Sequence, residues 1–365
     1  MRESDFEACR LTVRLGAIAD NYKSFQRLAG PAAVAGVVKA DAYGLGAEMV
    51  APTLAAAGCD TFFVARLEEG VALRRVLRGE ARIFVLDGAH PDSVPALIAH
   101  HLTPVLNSLA EIAGWSAAAT AARLSLDAAI HIDTGMNRLG LPGEELSVLA
   151  AEWKTRLKHL NLVLAMSHLA CGDEPESRMN DEQLSRFQTA LAVLPAAPAS
   201  LSASGGAFLG QAYRFDLVRA GVGLYGGAPQ EGGPPLKTAA VLTGRVLQLR
   251  RIDLGQSVGY GASFRAKRPT LIATVAPGYA GGIPRSLSNK GMAIVGGKRA
   301  AFAGRVSMDM VTLDVSEHGQ VKSGDEVEFL GDQMMLEEVA AMAGTNAYEI
   351  LTGLNLPRHY TDSAA

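Results

Sequence analysis

From Pro31 to about Gly223 the chain alternates short apolar runs with longer stretches of helical periodicity. The runs at residues 34–39, 61–65, 82–86, 102–106, 126–132, 162–167, 200–204 and 217–223 predict strands. Residues 68–77, 108–122 and 181–194 predict helices between them. Strands alternating with helices mean βαβ units and a parallel sheet. About eight such units in roughly two hundred residues fit a (β/α)8 TIM-like barrel better than an open sheet. Beyond Gln230 the pattern changes. Segment 231–235, EGGPP, reads as a linker, and β-branched runs between glycine turns follow at 239–249, 271–275, 292–295, 311–315 and 326–330. Little helix is expected before 337–343. The expectation is an α/β chain with an N-terminal barrel over 11–232 and a C-terminal β-rich domain over 233–365. Residues 10–14 also alternate, so the first ten residues are expected to pack with the second domain.

Composition narrows the function. The chain has 365 residues, 48% of them hydrophobic, which supports a packed core and excludes a disordered chain. A net charge of −3 gives no basic field for nucleic acid, and 6% aromatic residues give little surface for stacking bases. The opening MRESDFEACR lacks the apolar run of a secretory signal. The most apolar stretch, around 111–130, is interrupted by Glu111, Arg123 and Asp127 and makes a poor membrane span. Cys9, Cys59 and Cys171 are scattered and odd in number, so neither a disulfide framework nor a zinc site follows. A cytoplasmic protein without metal is expected.

A barrel builds its active site at the carboxyl ends of its strands. Here those ends deliver Lys39, Arg66, Asn107, Asp133 with Arg138, His168, Ser204, and the run Arg219 to Gly223. A lysine desolvated at a barrel mouth loses pKa and becomes a nucleophile or a proton acceptor. On position alone, a strand-end lysine that snorkels to water is the commoner case. Ser204-Gly205-Gly206 and Gly221-Val222-Gly223 fall where a barrel often holds phosphate, offering a hydroxyl and N–H groups without bulk.

The stretch VVKADAYGLG around Lys39 resembles the cofactor-lysine motif of alanine racemases. HIDTGMNRLG, SHLACGDEP, LSASGGAF, LVRAGVGLYG, SVGYGASF, APGYAGG and GRVSMDM follow in the family's order and cover nearly the whole chain. The resemblance implies a pyridoxal 5'-phosphate enzyme, a barrel plus a β domain, and a homodimer that racemises alanine for peptidoglycan. It makes Lys39 and Tyr260 the two bases, acting on the D- and L-isomers, with Tyr260 supplied by the partner subunit. It assigns cofactor binding to Lys39, Tyr43, His168, Ser204, Arg219, Gly221 and Val222, and substrate binding to Arg138, Met308, Tyr279 and Asp309. Arg219 falls beside the cofactor's ring nitrogen, where most pyridoxal enzymes place a carboxylate; an arginine cannot accept that proton. A phenol is a weak base at neutral pH, so a cationic neighbourhood must support Tyr260, and His168 linked to Arg219 is the expected chain.

Several positions depart from the family. Asp41 replaces a usual asparagine, Leu45 a histidine, and Gly281 an aspartate. His131 stands where many members carbamylate a lysine that buttresses the active-site arginine. The closing YEILTGLNLPRHY is shortened and gives no clear counterpart to the tyrosine that usually contacts phosphate there. Three alternatives stay open. A racemase of wider range, taking serine for example, differs by few contacts. A related decarboxylase would want a carboxylate in place of Arg219 and a cysteine in the second domain. A non-catalytic cofactor carrier would be a single barrel.

Overall fold

The computed structural model describes residues 7–362 apart from 78, 80, 231, 232, 234 and 235. The expected linker 231–235 falls, but for Gly233, outside the described residues. Strand β1 (Cys9–Arg14) comes first, followed by the helix Leu15–Ala29. Eight parallel strands then form the barrel: β2 (Ala33–Val37), β3 (Thr61–Val64), β4 (Arg82–Val85), β5 (Thr103–Leu106), β6 (Leu126–His131), β7 (Leu160–Met166), β8 (Ala199–Ser200) and β9 (Leu217–Ala220). Neighbours pair in chain order, and β9 returns to pair β2. Between β8 and β9 the ring closes through the bridge Ala203↔Arg219 and the bond from Arg219 N–H to the Ser202 carbonyl at 3.0 Å.

These strands are mostly apolar because the barrel interior and the surrounding helices cover both faces. All four residues of β3, TFFV, are buried, and Phe63 stacks on Phe84 of β4 at 4.7 Å. The helix Leu15–Ala29 presents Ile18, Tyr22 and Phe25 to this wall at helical spacing, and Tyr22 donates to the Val34 carbonyl. Ser108 caps the helix Leu109–Ala122 by accepting from Glu111 N–H, as the predicted start at 108 implies. The other predicted helices appear as Leu67–Val76 and Arg178–Val193. Two predicted strands are shortened: the run from Ser200 leaves the sheet at once, and the run ending at Gly223 turns after Ala220. Glycine and serine at those ends release the backbone to line the mouth.

The second sheet holds β10 (Ala240–Ile252), β13 (Thr270–Val275), β14 (Met292–Val295), β15 (Lys298–Phe302), β16 (Val311–Asp314) and β17 (Glu326–Leu330), with a side hairpin of β11 (Ser257–Val258) and β12 (Phe264–Arg265). β10 pairs β17 through its first half and β13 through its second, which closes the sheet on itself. Strand β1 pairs β10 antiparallel and β18 (Arg358–Thr361) parallel. Residues 11–14 therefore pair in the second sheet, and the alternation of Leu11 and Val13 matches a half-buried strand. Among the described residues no helix is long and apolar enough to cross a membrane.

Gly244 sits where β10 passes from one partner to the other, and a Cβ there would overlap the Ala276 carbonyl oxygen. Gly244→Ala is expected to cost about 1–3 kcal/mol, the usual range for overpacking. A urea midpoint equal to that of the parent protein would contradict this.

Candidate active site

Lys39 follows β2 and opens a backbone turn of uncommon hand. Ala40, Asp41, Ala42 and Tyr43 have φ of 51°, 54°, 54° and 57°. Left-handed backbone costs an L-residue roughly 1–2 kcal/mol, so four in succession persist only when their surroundings fix them. Glu69 fixes one end: its Oε1 accepts from Ala40 N–H at 2.7 Å, and its Oε2 accepts from Ala65 and Arg66 N–H. Behind the lysine, the Tyr225 hydroxyl donates to the Val37 carbonyl at 2.8 Å. Glu69 was not among the predicted site residues. Its place at the third position of a helix start was the available signal.

Lys39 faces a cavity of about 500 Å³ at the barrel mouth, a volume suited to a cofactor. Lys39, His131, Arg138, His168 and Arg219 all line it, and Asp173 is the one acid among its described lining residues. The Lys39 ammonium is held below its ordinary pKa by burial first and by Arg138 next, with Glu69 opposing. Arg138 is exposed, on a loop shaped by Asp133, whose Oδ1 accepts from Gly135 and Asn137 N–H. Arg66 turns outward and pairs loosely with Glu68.

Arg219 is 3% exposed and all its partners are neutral. It donates to the Ser167, Ser200 and Leu201 carbonyls and to the Ser200 hydroxyl, and its Nη2 lies 3.2 Å from His168 Nδ1. Burial lowers its pKa to about 9, still above neutrality, so it remains a cation. A guanidinium only donates, so His168 accepts at Nδ1 and carries its proton on Nε2. Burial, then Arg219 and Arg138, hold His168 neutral. His131 has the other tautomer. Asn107 gives its amide hydrogens to the Leu86 and Val105 carbonyls, which leaves Oδ1 to accept from His131 Nδ1 at 2.8 Å.

The small residues pack backbone against backbone at the opposite wall. Ser204 Oγ accepts from Gly221 N–H at 2.8 Å and Gly223 N–H at 3.3 Å. A Cβ on Gly221 would come within 2.5 Å of the Tyr43 hydroxyl, and one on Gly205 would strike the Gly172 carbonyl. Only glycine keeps this cradle open. Val222 also lines it. Burial, then neighbouring Tyr348, push the Tyr43 phenol upward. Tyr348 lines the same cavity with its ring 5.9 Å from that of Tyr43. It too was missed, although it stands first in the closing segment.

Tyr260, Tyr279, Met308 and Asp309 do not line this cavity. They share a separate surface of the second domain. Tyr279 N–H donates to the Ser307 carbonyl, and Ala280 N–H to that of Met308. Asn289 accepts from Gly304 N–H and donates to Ser263 Oγ, joining the Tyr260 turn to the same group. Tyr260, Met308 and Tyr279 are 70%, 55% and 43% exposed, and Asp309 is exposed beside them.

Family models for the alanine racemase N-terminal and C-terminal domains match residues 13–229 and 239–360. The chain belongs to the alanine racemase family. It is 49% identical to a catabolic alanine racemase of Agrobacterium fabrum, over 94% of this chain and 89% of that protein. An alanine racemase of Rhodospirillum rubrum is 44% identical over 99% and 98%. Among solved structures, alanine racemase from Bartonella henselae with covalently bound pyridoxal phosphate superposes with a TM-score of 0.94 at 38% identity, covering 98% of this chain and all of that one. The biosynthetic alanine racemase of Pseudomonas aeruginosa gives 0.91 at 34%, over 98% of this chain and all of that one.

The departures from the racemase pattern each have a local setting. Leu45 is fully buried, and Asp41 Oδ1 accepts from Ala47 N–H. A Cβ on Gly281 would come within 2.5 Å of the Pro277 Cβ. Leu354 is buried in the closing segment, while Tyr348 reaches the cavity.

Burial, then Arg219 and Arg138, lower the His131 pKa from 6.5 to about 4. Between those values the unfolded chain binds the extra proton, so stability falls as pH falls. From pH 7 to pH 5 this ring contributes a loss of about 2 kcal/mol, at 1.36 kcal/mol per unit. Urea midpoints should show that loss reduced in His131→Asn; an undiminished loss contradicts the assignment.

Proposed function

We propose that the protein interconverts L-alanine and D-alanine with pyridoxal phosphate, as a homodimer whose sites each take Lys39 from one copy and Tyr260 from the other. One observation carries the reading: the Lys39 amine, lowered in pKa, stands in a cavity of five basic groups beside a buried guanidinium that has no carboxylate partner among the described residues. Such a cavity suits a ligand that brings its own negative charge. The glycine cradle with Ser204 and Tyr43 would hold a phosphate, Lys39 the aldehyde carbon, and Arg219 the ring nitrogen, next to His168. Pyridoxal phosphate, when bound, draws electron density from the amino acid's Cα and eases the loss of its hydrogen.

The rest falls to the chain's own residues. Lys39 takes or returns the proton of Cα on the face that serves D-alanine, and Tyr260 on the face that serves L-alanine. Arg138 holds the substrate carboxylate, with the backbone near Met308. Tyr279, Met308 and the neighbouring Asp309 confine a small side chain. Arg219 offers only donors and cannot accept a hydrogen bond from a protonated ring nitrogen, so that nitrogen would stay unprotonated and draw electrons less strongly, which restrains side reactions. The exposure of Tyr260, Tyr279 and Met308 away from the cavity supports a composite site. A barrel over 11–232 and a β domain over 233–365 remain our division of the chain, with the first strand lent to the second sheet. Three free thiols accord with a reducing cytoplasm.

D-alanine for peptidoglycan is the role we favour. A catabolic role is the second reading, since the Agrobacterium relative carries that description.

Borohydride treatment of the holoenzyme should fix the cofactor mass on the peptide containing Lys39. L-alanine in heavy water should exchange its α-hydrogen and yield D-alanine. Lys39→Ala and Tyr260→Phe should each lower kcat by at least about 10²-fold. Mixed and allowed to exchange, the two variants should regain about a quarter of the parental activity, because half the dimers then carry one intact site of two. No regain would remove the shared site, and exchange without D-alanine would remove the racemase.

A further inference from the structure

We infer that Arg358 and Asp41 form a positioning pair that holds the left-handed turn 40–43, and through it Lys39 and Tyr43, ready for the cofactor; the inference rests on the pyridoxal phosphate reading. The turn is built from alanine, aspartate and tyrosine, none of which is free of the Cβ penalty in this conformation. Glu69, from the barrel, holds its amino end. Its carboxyl end is held by the last strand of the second domain. Arg358 Nη2 lies 2.7 Å from Asp41 Oδ2, and Arg358 Nε donates to the Gly44 carbonyl at 2.8 Å. One guanidinium thus spans the turn from its second residue to its exit.

The neighbouring contacts give the pair its leverage. Asp41 Oδ1 is already committed to Ala47 N–H, so the carboxylate cannot swing away without uncapping the helix Ala47–Ala56. Gly44 and Gly46, with φ of 85° and 94°, leave room for two elements of the second domain. A Cβ on Gly44 would meet the Leu351 carbonyl at 2.7 Å, and one on Gly46 would overlap the Tyr360 hydroxyl. Arg358 and Tyr360 are two apart on β18 and share a face. Both side chains of the ion pair are partly exposed, so charge alone is a weak tie. The planar fork is what matters: it bonds a carboxylate and a carbonyl together, which an ammonium does less well. Without it, the competent turn becomes a fraction of the population, and apparent cofactor affinity falls by that fraction.

The test uses apoenzyme prepared from the parent protein and from Asp41→Asn, Arg358→Gln, Arg358→Lys and the Asp41→Asn/Arg358→Gln double variant. Each is titrated with pyridoxal phosphate by visible absorbance, and each apoenzyme is melted. Arg358→Gln and Asp41→Asn should each raise the cofactor Kd about tenfold, with the double variant no worse than either, as coupled residues behave. Arg358→Lys should restore part of the affinity. The melting temperatures of the apoenzymes should agree, which separates positioning from general stability. Equal cofactor constants in all variants, strictly additive losses, or lower melting temperatures with unchanged constants would overturn the pair. If the parent protein itself binds no pyridoxal phosphate, the proposed function falls and this inference with it; normal binding by parent and variants alike overturns the pair alone.

Discussion

The carboxyl end of the barrel depends on one buried cation. Arg219 projects from β9 and donates to carbonyls at the ends of β7 and β8, at the seam where the ring closes. Strand β8 has only two residues, too few for a ladder that could close the ring unaided. The guanidinium adds to the backbone bonds from Asp216 and Arg219 that close the ring there, and only neutral acceptors surround it. A buried charge without a counter-ion is costly, and dipoles that point at it must offset that cost. Burial first, and then the neighbouring guanidinium groups, hold the Lys39 pKa down and keep two histidines neutral. Closure of the fold and electrostatics of the site are therefore one arrangement.

The architecture was legible because the barrel strands are short, apolar and evenly interrupted. The limits of those strands were not. Residues 200–204 and 217–223 look like strands, yet most of the first segment and the end of the second leave the sheet for the mouth. Their hydrophobicity reflects burial beside a ligand cavity, which periodicity cannot tell from burial in a sheet. Strands β15 and β18 escaped notice because KRAAF and RHYT carry too much charge to stand out.

The site divides in the same way. Lys39, Arg138, His168, Ser204 and Arg219 could be read from strand ends, since topology brings those ends together. Glu69, Asn107 as the partner of His131, and Tyr348 act through hydrogen bonds or packing set by tertiary distance; only Glu69 had a local signal, its place in a helix start. The four residues of the second domain were legible only as motifs. Nothing in their spacing tells which surface they would face.

Strand β1 carries a consequence for the birth of the protein. It lies between β10 and β18, and both of these are synthesised long after it. During translation the barrel can assemble while this first strand waits with both hydrogen-bonding edges open. Strand β1 gains its second neighbour only when β18 is made, so a chain cut short before residue 358 would leave one edge of β1 without a mate.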